Sequence, residues 1–173
     1  MSDLTYDAVG DSLRQDLVAN PPRGYRAVER RVTIASRGTW FTPLAHAVMT
    51  WELKLQAGFD VRRFDGDSEF VSSGPVEVGE DARVTFGPIR ETVRVVRVVD
   101  EPRRRGFAYG TLREHPLRGE EAFLVEWRDD DTVQLVIRSF SRPSSLLWWV
   151  LYPALLIAQR VFLRRYERAL TVS

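Results

Sequence analysis

Glu121, Tyr109 and His115 are the residues whose types and spacing could do chemistry in this chain. Phe123, Val125 and Trp127 alternate with Leu124, Glu126 and Arg128, a period of two that belongs to a strand with one buried face. The same alternation puts Glu121 on the apolar side, at the strand's mouth. A carboxylate there must be paired, solvated or protonated. With Tyr109 on a neighbouring strand and His115 in the connecting loop, an acid, a phenol and an imidazole share one rim. They could anchor a ligand headgroup or move a proton. The plainer account is that Glu121 closes the hairpin over 112–120 by accepting backbone amides or an arginine such as Arg118. His115, just before Pro116 in a turn, is then a solvated loop residue.

Other chemistries are excluded by composition. The chain has no cysteine, so disulfides, thiolate metal sites and cysteine nucleophiles drop out, and two histidines, His46 and His115, cannot build a histidine-rich metal centre. Neither a metal nor a cofactor is expected. A formal net charge of +1 gives no overall field to attract nucleic acid. Of the 25 basic residues only Lys54 is a lysine, which reads as the codon bias of a GC-rich genome. Arg103, Arg104 and Arg105 form a basic triplet on a hairpin tip, without the interleaved aromatics a phosphate-binding surface needs. The first eleven residues carry acids and no apolar core, unlike a secretory signal, so a cytoplasmic location is expected.

The elements that must position these residues read as α+β in a single domain over 1–173, long enough to bury roughly 70% of the surface of the unfolded chain. A lead-in over 1–22, short helix or irregular, ends at Asn20-Pro21-Pro22. Residues 25–36 read as a first strand. Thr42 and Pro43 then open a helix with Leu44, Val48, Trp51 and Leu55 on one face and Gly58 as a left-handed terminator, leaving His46 off that face. From Phe59 on, short apolar runs between turn clusters predict antiparallel strands near 69–73, 82–86, 90–99, 106–112, 121–128 and 132–140. Gly106 and Gly110 flank Tyr109 within a strand, where glycine marks a bulge or a close approach, by the C-terminal helix or by a ligand. Arg142-Pro143-Ser144 supplies a stop and a cap before a long helix over 144–172, in which Leu151, Leu155, Ala158 and Phe162 recur at helical spacing.

Asp100-Glu101-Pro102, Gly106-Phe107-Ala108-Tyr109-Gly110-Thr111-Leu112, His115-Pro116, Gly119-Glu120-Glu121-Ala122-Phe123 and Arg138-Ser139-Phe140-Ser141-Arg142-Pro143 together resemble the bacterial and plant family called domain of unknown function nineteen-ninety. Leu4-Thr5-Tyr6, Val9-Gly10, Thr50-Trp51 and Gly58 extend the resemblance over nearly the whole chain. That family is similar to the START-like, or SRPBCC (Bet v 1-like), helix-grip superfamily. The resemblance implies a curved antiparallel sheet wrapped around a long C-terminal helix, with an apolar pocket between them. Members of the wider superfamily bind lipids, steroids, polyketides or hormones, and some catalyse cyclisation or hydrolysis; the family carries no settled activity to transfer.

The expectation from the sequence is a protein that binds a small hydrophobic molecule, lipid-like or polyketide-like. Trp51, Tyr109, Phe123, Trp127, Leu151, Leu155 and Phe162 would line its site and Glu121 would meet the headgroup. One alternative is an enzyme acting on a hydrophobic substrate through Glu121, Tyr109 and His115. Another is a structural homodimer with its interior filled. The run Leu146 to Ala158, apolar all round, is too short for a bilayer span, which takes about 20 residues. It points to pocket and dimer contact ahead of peripheral membrane contact through Arg160, Arg164, Arg165 and Arg168.

Overall fold

Alternating polarity along successive segments builds one eight-stranded antiparallel sheet. The computed structural model of the protein describes residues 3–65, 68–70, 74–87, 89–113 and 115–145. The strands are β1 (Arg26–Ala35), β2 (Asp60–Asp65), β3 (Ser68–Phe70), β4 (Asp81–Phe86), β5 (Ile89–Glu101), β6 (Arg104–Thr111), β7 (Leu117–Trp127) and β8 (Val133–Pro143). Their order is β1-β8-β7-β6-β5-β4-β2-β3, so the first strand pairs with the last, β4 to β8 form a meander, and β2 pairs with both β4 and β3. The sheet is curved. Two short helices, α1 (Phe41–Met49) and α2 (Glu52–Gln56), lie between β1 and β2 in the chain. The expected helix over 144–172, with Leu151, Leu155 and Phe162, lies outside the described residues.

Strand periodicity sorts side chains onto two faces. On the inner face, Val93, Val95, Phe107, Tyr109, Phe123, Val125, Leu135 and Ile137 form the main core with Leu44, Val48, Trp51 and Leu53 of the helical stretch. Burying one such side chain as fully as Phe123, 1% exposed, stabilises the fold by about 1.5–3 kcal/mol. The outer face is not left to water. Leu4, Tyr6, Val9, Leu13 and Leu17 of the N-terminal segment cover Val96, Ala108, Ala122, Leu124, Val136 and Phe140.

A buried carboxylate fastens that segment. Glu120, 3% exposed, accepts from Tyr6 Oη at 2.7 Å, Gly10 N–H at 2.8 Å and Ser12 N–H at 3.1 Å, and also from Ser12 Oγ. Burial and then the Glu120 charge push the Tyr6 phenol well above its usual range. The lead-in is therefore an irregular strap with one turn of 3-10 helix at Asp11–Leu13.

Four expectations need correction. The helix predicted from Thr42 to Gly58 is two helices, because Trp51 takes the left-handed conformation at φ 64° and the chain restarts in α2. That break turns the face: Leu53 and Lys54 go inward and Leu55 is 48% exposed. Strand β2 has no counterpart in the sequence reading. His115 is buried at 8% exposure, not a solvated loop residue. The close approach at Gly110 is made by Tyr6, whose hydroxyl an added Cβ would overlap; at Gly106, φ 154°, it would overlap the Phe123 carbonyl of the adjacent strand.

Candidate functional site

The site grows from the break at Trp51. With that residue left-handed, its indole turns onto the inner face, 4.7 Å from the Phe107 ring and 5.5 Å from that of Tyr109. Its Nε1 donates to Glu80 at 3.4 Å. Glu80 is itself gripped by Arg63 through two hydrogen bonds of 2.6 Å, Nε to Oε1 and Nη2 to Oε2. Three residues past Trp51, in the middle of α2, Lys54 enters the same space and is 4% exposed.

Lys54 lies among aromatic rings and beside a carboxylate. Its Nζ lies 4.9 Å from the centroid of Phe123 and 5.0 Å from those of Tyr109 and Phe59. An ammonium at that range is attracted by the ring faces. Glu121 Oε2 is 3.7 Å away. Tyr109 and Glu121 are paired directly across β6 and β7, and the Tyr109 hydroxyl donates to that same Oε2. Burial holds the Lys54 ammonium below the ordinary lysine range, and the charges of Glu121 and then Glu91 restore this only in part.

His115 enters from the β6–β7 connection. Its Nδ1 accepts the Leu117 N–H at 2.9 Å, which places the ring proton on Nε2, 3.5 Å from Glu91 Oε2. Burial raises the Glu91 carboxyl, but His115 and then Lys54 outweigh it and hold the group below the usual carboxylate range. The line of interaction runs from His115 through Glu91 to Lys54, Glu121 and Tyr109.

Of the residues singled out in the sequence, Trp51, Tyr109, Glu121 and Phe123 come together around Lys54. His115 is bonded to Glu91 and a backbone amide and joins the others only at second hand. Trp127 sits at the far end of β7, with its ring 6.2 Å from Phe41 and its Nε1 donating to Asp131 at 2.9 Å. Leu151, Leu155 and Phe162 lie outside the described residues. Lys54 and Glu91 were missed. The one available signal was that Lys54 is the sole lysine among 24 arginines.

A concavity of about 920 Å³ opens elsewhere, where β1, β7 and β8 meet the β5–β6 turn. Its guanidinium groups are already engaged: Glu126 takes Arg31 at 2.8 Å, Arg104 at 3.5 Å and Arg128 at 3.9 Å, while Glu29 takes Arg31 and Arg138 at 2.8 and 2.5 Å. Arg103 stacks on the Trp127 ring at 4.8 Å. Among the described residues no group of three histidine, aspartate or glutamate side chains is placed to hold a metal ion, and no helix is long and apolar enough to cross a membrane.

Solved structures share this architecture at low identity. A hypothetical protein from Helicobacter pylori superposes with a TM-score of 0.62 at 13% identity, covering 98% of this chain and 97% of that one. Norcoclaurine synthase from Thalictrum flavum, in complex with dopamine and hydroxybenzaldehyde, gives 0.51 at 11% identity, with 83% and 85% covered. The Aha1 dimer from Colwellia psychrerythraea gives 0.51 at 14%, with 84% and 96% covered. These likenesses show the fold, which is START-like (Bet v 1-like). Two sequence relatives, both called UPF0548 protein, come from Deinococcus radiodurans, 43% identical over 79 residues, and Arabidopsis thaliana, 32% identical over 119 residues. The matches cover 46% and 62% of this chain and span 40% and 58% of those relatives' own length. The family model described as Domain of unknown function (DUF1990) matches residues 5–169, and the chain belongs to that family.

Proposed function

We propose that this protein binds a small hydrophobic molecule, lipid-like or polyketide-like, against the inner face of the sheet, with Lys54, Glu121 and Tyr109 meeting its polar end. The observation that carries this reading is the Lys54–Glu121–Tyr109 group, with Lys54 and Tyr109 buried and Glu121 half-buried, set into a wall of Trp51, Phe59, Phe107 and Phe123. Mostly apolar surroundings with a few convergent polar groups are what a small-molecule site needs. A packed core alone would gain nothing from an ammonium, since stripping water from it costs several kcal/mol, as an order of magnitude, before any pairing. The START-like fold commonly houses hydrophobic ligands, and the Thalictrum synthase, which shares it, is in complex with dopamine and hydroxybenzaldehyde, both aromatic. The remainder of the lining, expected at Leu151, Leu155 and Phe162, belongs to the same reading, as does a cytoplasmic location.

Native mass spectrometry of the protein purified from its own cells, followed by titration with anilinonaphthalene sulfonate, tests this. The expected result is a co-purifying apolar molecule that displaces the probe saturably at one site. A protein with neither a bound molecule nor displaceable probe overturns the reading.

An enzymatic reading is favoured by one observation, the direct bond between the Tyr109 hydroxyl and Glu121 beside a lysine. Glu121 and Tyr109 would carry it, with His115 acting through Glu91. Glu121→Gln separates the two: it leaves the affinity for an apolar ligand within about twofold if Glu121 only meets a headgroup, and abolishes turnover if it moves a proton.

A further inference from the structure

We infer that Lys54 is an amine nucleophile that condenses with the carbonyl group of a hydrophobic aldehyde or ketone held on the inner face. This rests on the ligand-binding reading above and names its substrate class.

Residue type points there first. Where this chain needs a cation beside a carboxylate it uses arginine: Arg63 with Glu80, Arg94 with Asp81 and Arg138 with Glu29, at 2.5 to 2.6 Å. Arginine forms two parallel bonds with a carboxylate but cannot lose its proton in a protein. Lys54 is the only basic side chain in the sequence, histidines aside, that can become neutral, and it is buried among three rings on the face that holds the chemistry. Glu121 Oε2 lies 3.7 Å from the ammonium and accepts the Tyr109 hydroxyl, so a base and a proton relay stand beside the amine. Burial adds to this, since it lowers the cost of the neutral amine.

The step balances with groups on the page. Glu121 takes one proton from the Lys54 ammonium. The nitrogen lone pair attacks the carbonyl carbon, and the carbonyl π pair moves to oxygen, which takes a proton from nitrogen through Glu121 and Tyr109. Glu121 then returns its proton to the hydroxyl, water leaves, and a protonated imine remains. Carbonyl and ammonium give iminium and water, with no oxidant or reductant.

The experiment treats the full chain with cinnamaldehyde and sodium cyanoborohydride, then locates the added mass by peptide mapping. With a single lysine, the only alternative primary amine is the N-terminus. The expected result is labelling at Lys54 at least about tenfold faster than a lysine in a model peptide at the same pH. The label is absent in Lys54→Arg and Lys54→Met and suppressed by excess cinnamyl alcohol, which has the same skeleton without the carbonyl. Circular dichroism and urea denaturation check the fold of both variants. If the alcohol binds but Lys54 labels no faster than the model peptide, the inference falls and the ligand-binding reading stands. If neither compound binds and the protein also fails the probe titration, both fall.

Discussion

Lys54 and Glu120 are both ionisable and both buried, yet their surroundings differ in kind. Glu120 accepts from four donors, which satisfy its buried oxygens. Lys54 sits among rings beside Glu121, and its proton is held less firmly than in water. Between the lowered folded value and the unfolded value near 10.5, the unfolded chain binds more protons than the native one, so stability rises with pH through that window. Below the folded value the cost of the buried charge is constant. Lys54→Met removes the group, so the wild type should gain on the variant as pH rises toward 10.5; chemical denaturation of both proteins across the alkaline range reads the difference. Arg63 gives a contrasting expectation. Its guanidinium holds Glu80 and the carbonyls of Gly74 and Pro75, at 2.7 and 3.1 Å, with 7% of its side chain exposed. Arg63→Leu leaves Glu80 buried and uncompensated and should lower stability by about 3–5 kcal/mol in urea titration.

At the scale of elements, the two pieces that frame the site were the hardest to read. Alternation along β7 placed Glu121 and Phe123 inward, and the structure agrees, because a period of two survives any bend of the sheet. Lys54 was hidden by a single residue. A straight helix from Pro43 to Gly58 would put Leu55 in the core, and one left-handed residue at Trp51 shifts the turn so that Lys54 takes that place. Nothing local announces this, since Trp51 is held in its conformation by Phe107, Tyr109 and Glu80 from distant parts of the chain. The N-terminal segment was equally opaque, having no period of its own and taking its shape from the surface beneath it. Its dependence on Glu120 is testable. Glu120→Gln sets an amide N–H₂ against donors and should cost roughly 1–3 kcal/mol. Hydrogen exchange should rise over residues 3–17 before it rises elsewhere. Gly110→Ala should expel the Tyr6 ring and give the same local pattern, whereas the inner-face Tyr109→Phe should not.

For the whole molecule, the meander is built from neighbouring strands, but its β1 edge is not. Strand β1 is joined to β8 across a long stretch of intervening chain, from Arg26 with Ser141 to Ala35 with Val133. Strands β1 and β8 were both legible in the sequence but their pairing was not, because register across such a separation is decided by the faces both strands must bury. Removing residues 1–36 would bare the eleven-residue β8 edge and the apolar outer surface together. The shortened protein is expected to associate in a concentration-dependent way on size-exclusion chromatography, while the full chain keeps a constant elution volume.

Glu120 and Glu121 are consecutive residues doing unrelated jobs on opposite sides of a single ply of backbone. Because they are adjacent, a one-residue slip of β7 fills only one of the two places. An insertion upstream brings Glu120 beside Lys54 and Gly119 under the strap, whereas a deletion brings Glu121 under the strap and Ala122 beside Lys54. Either way one face loses its carboxylate, although both remain in the chain.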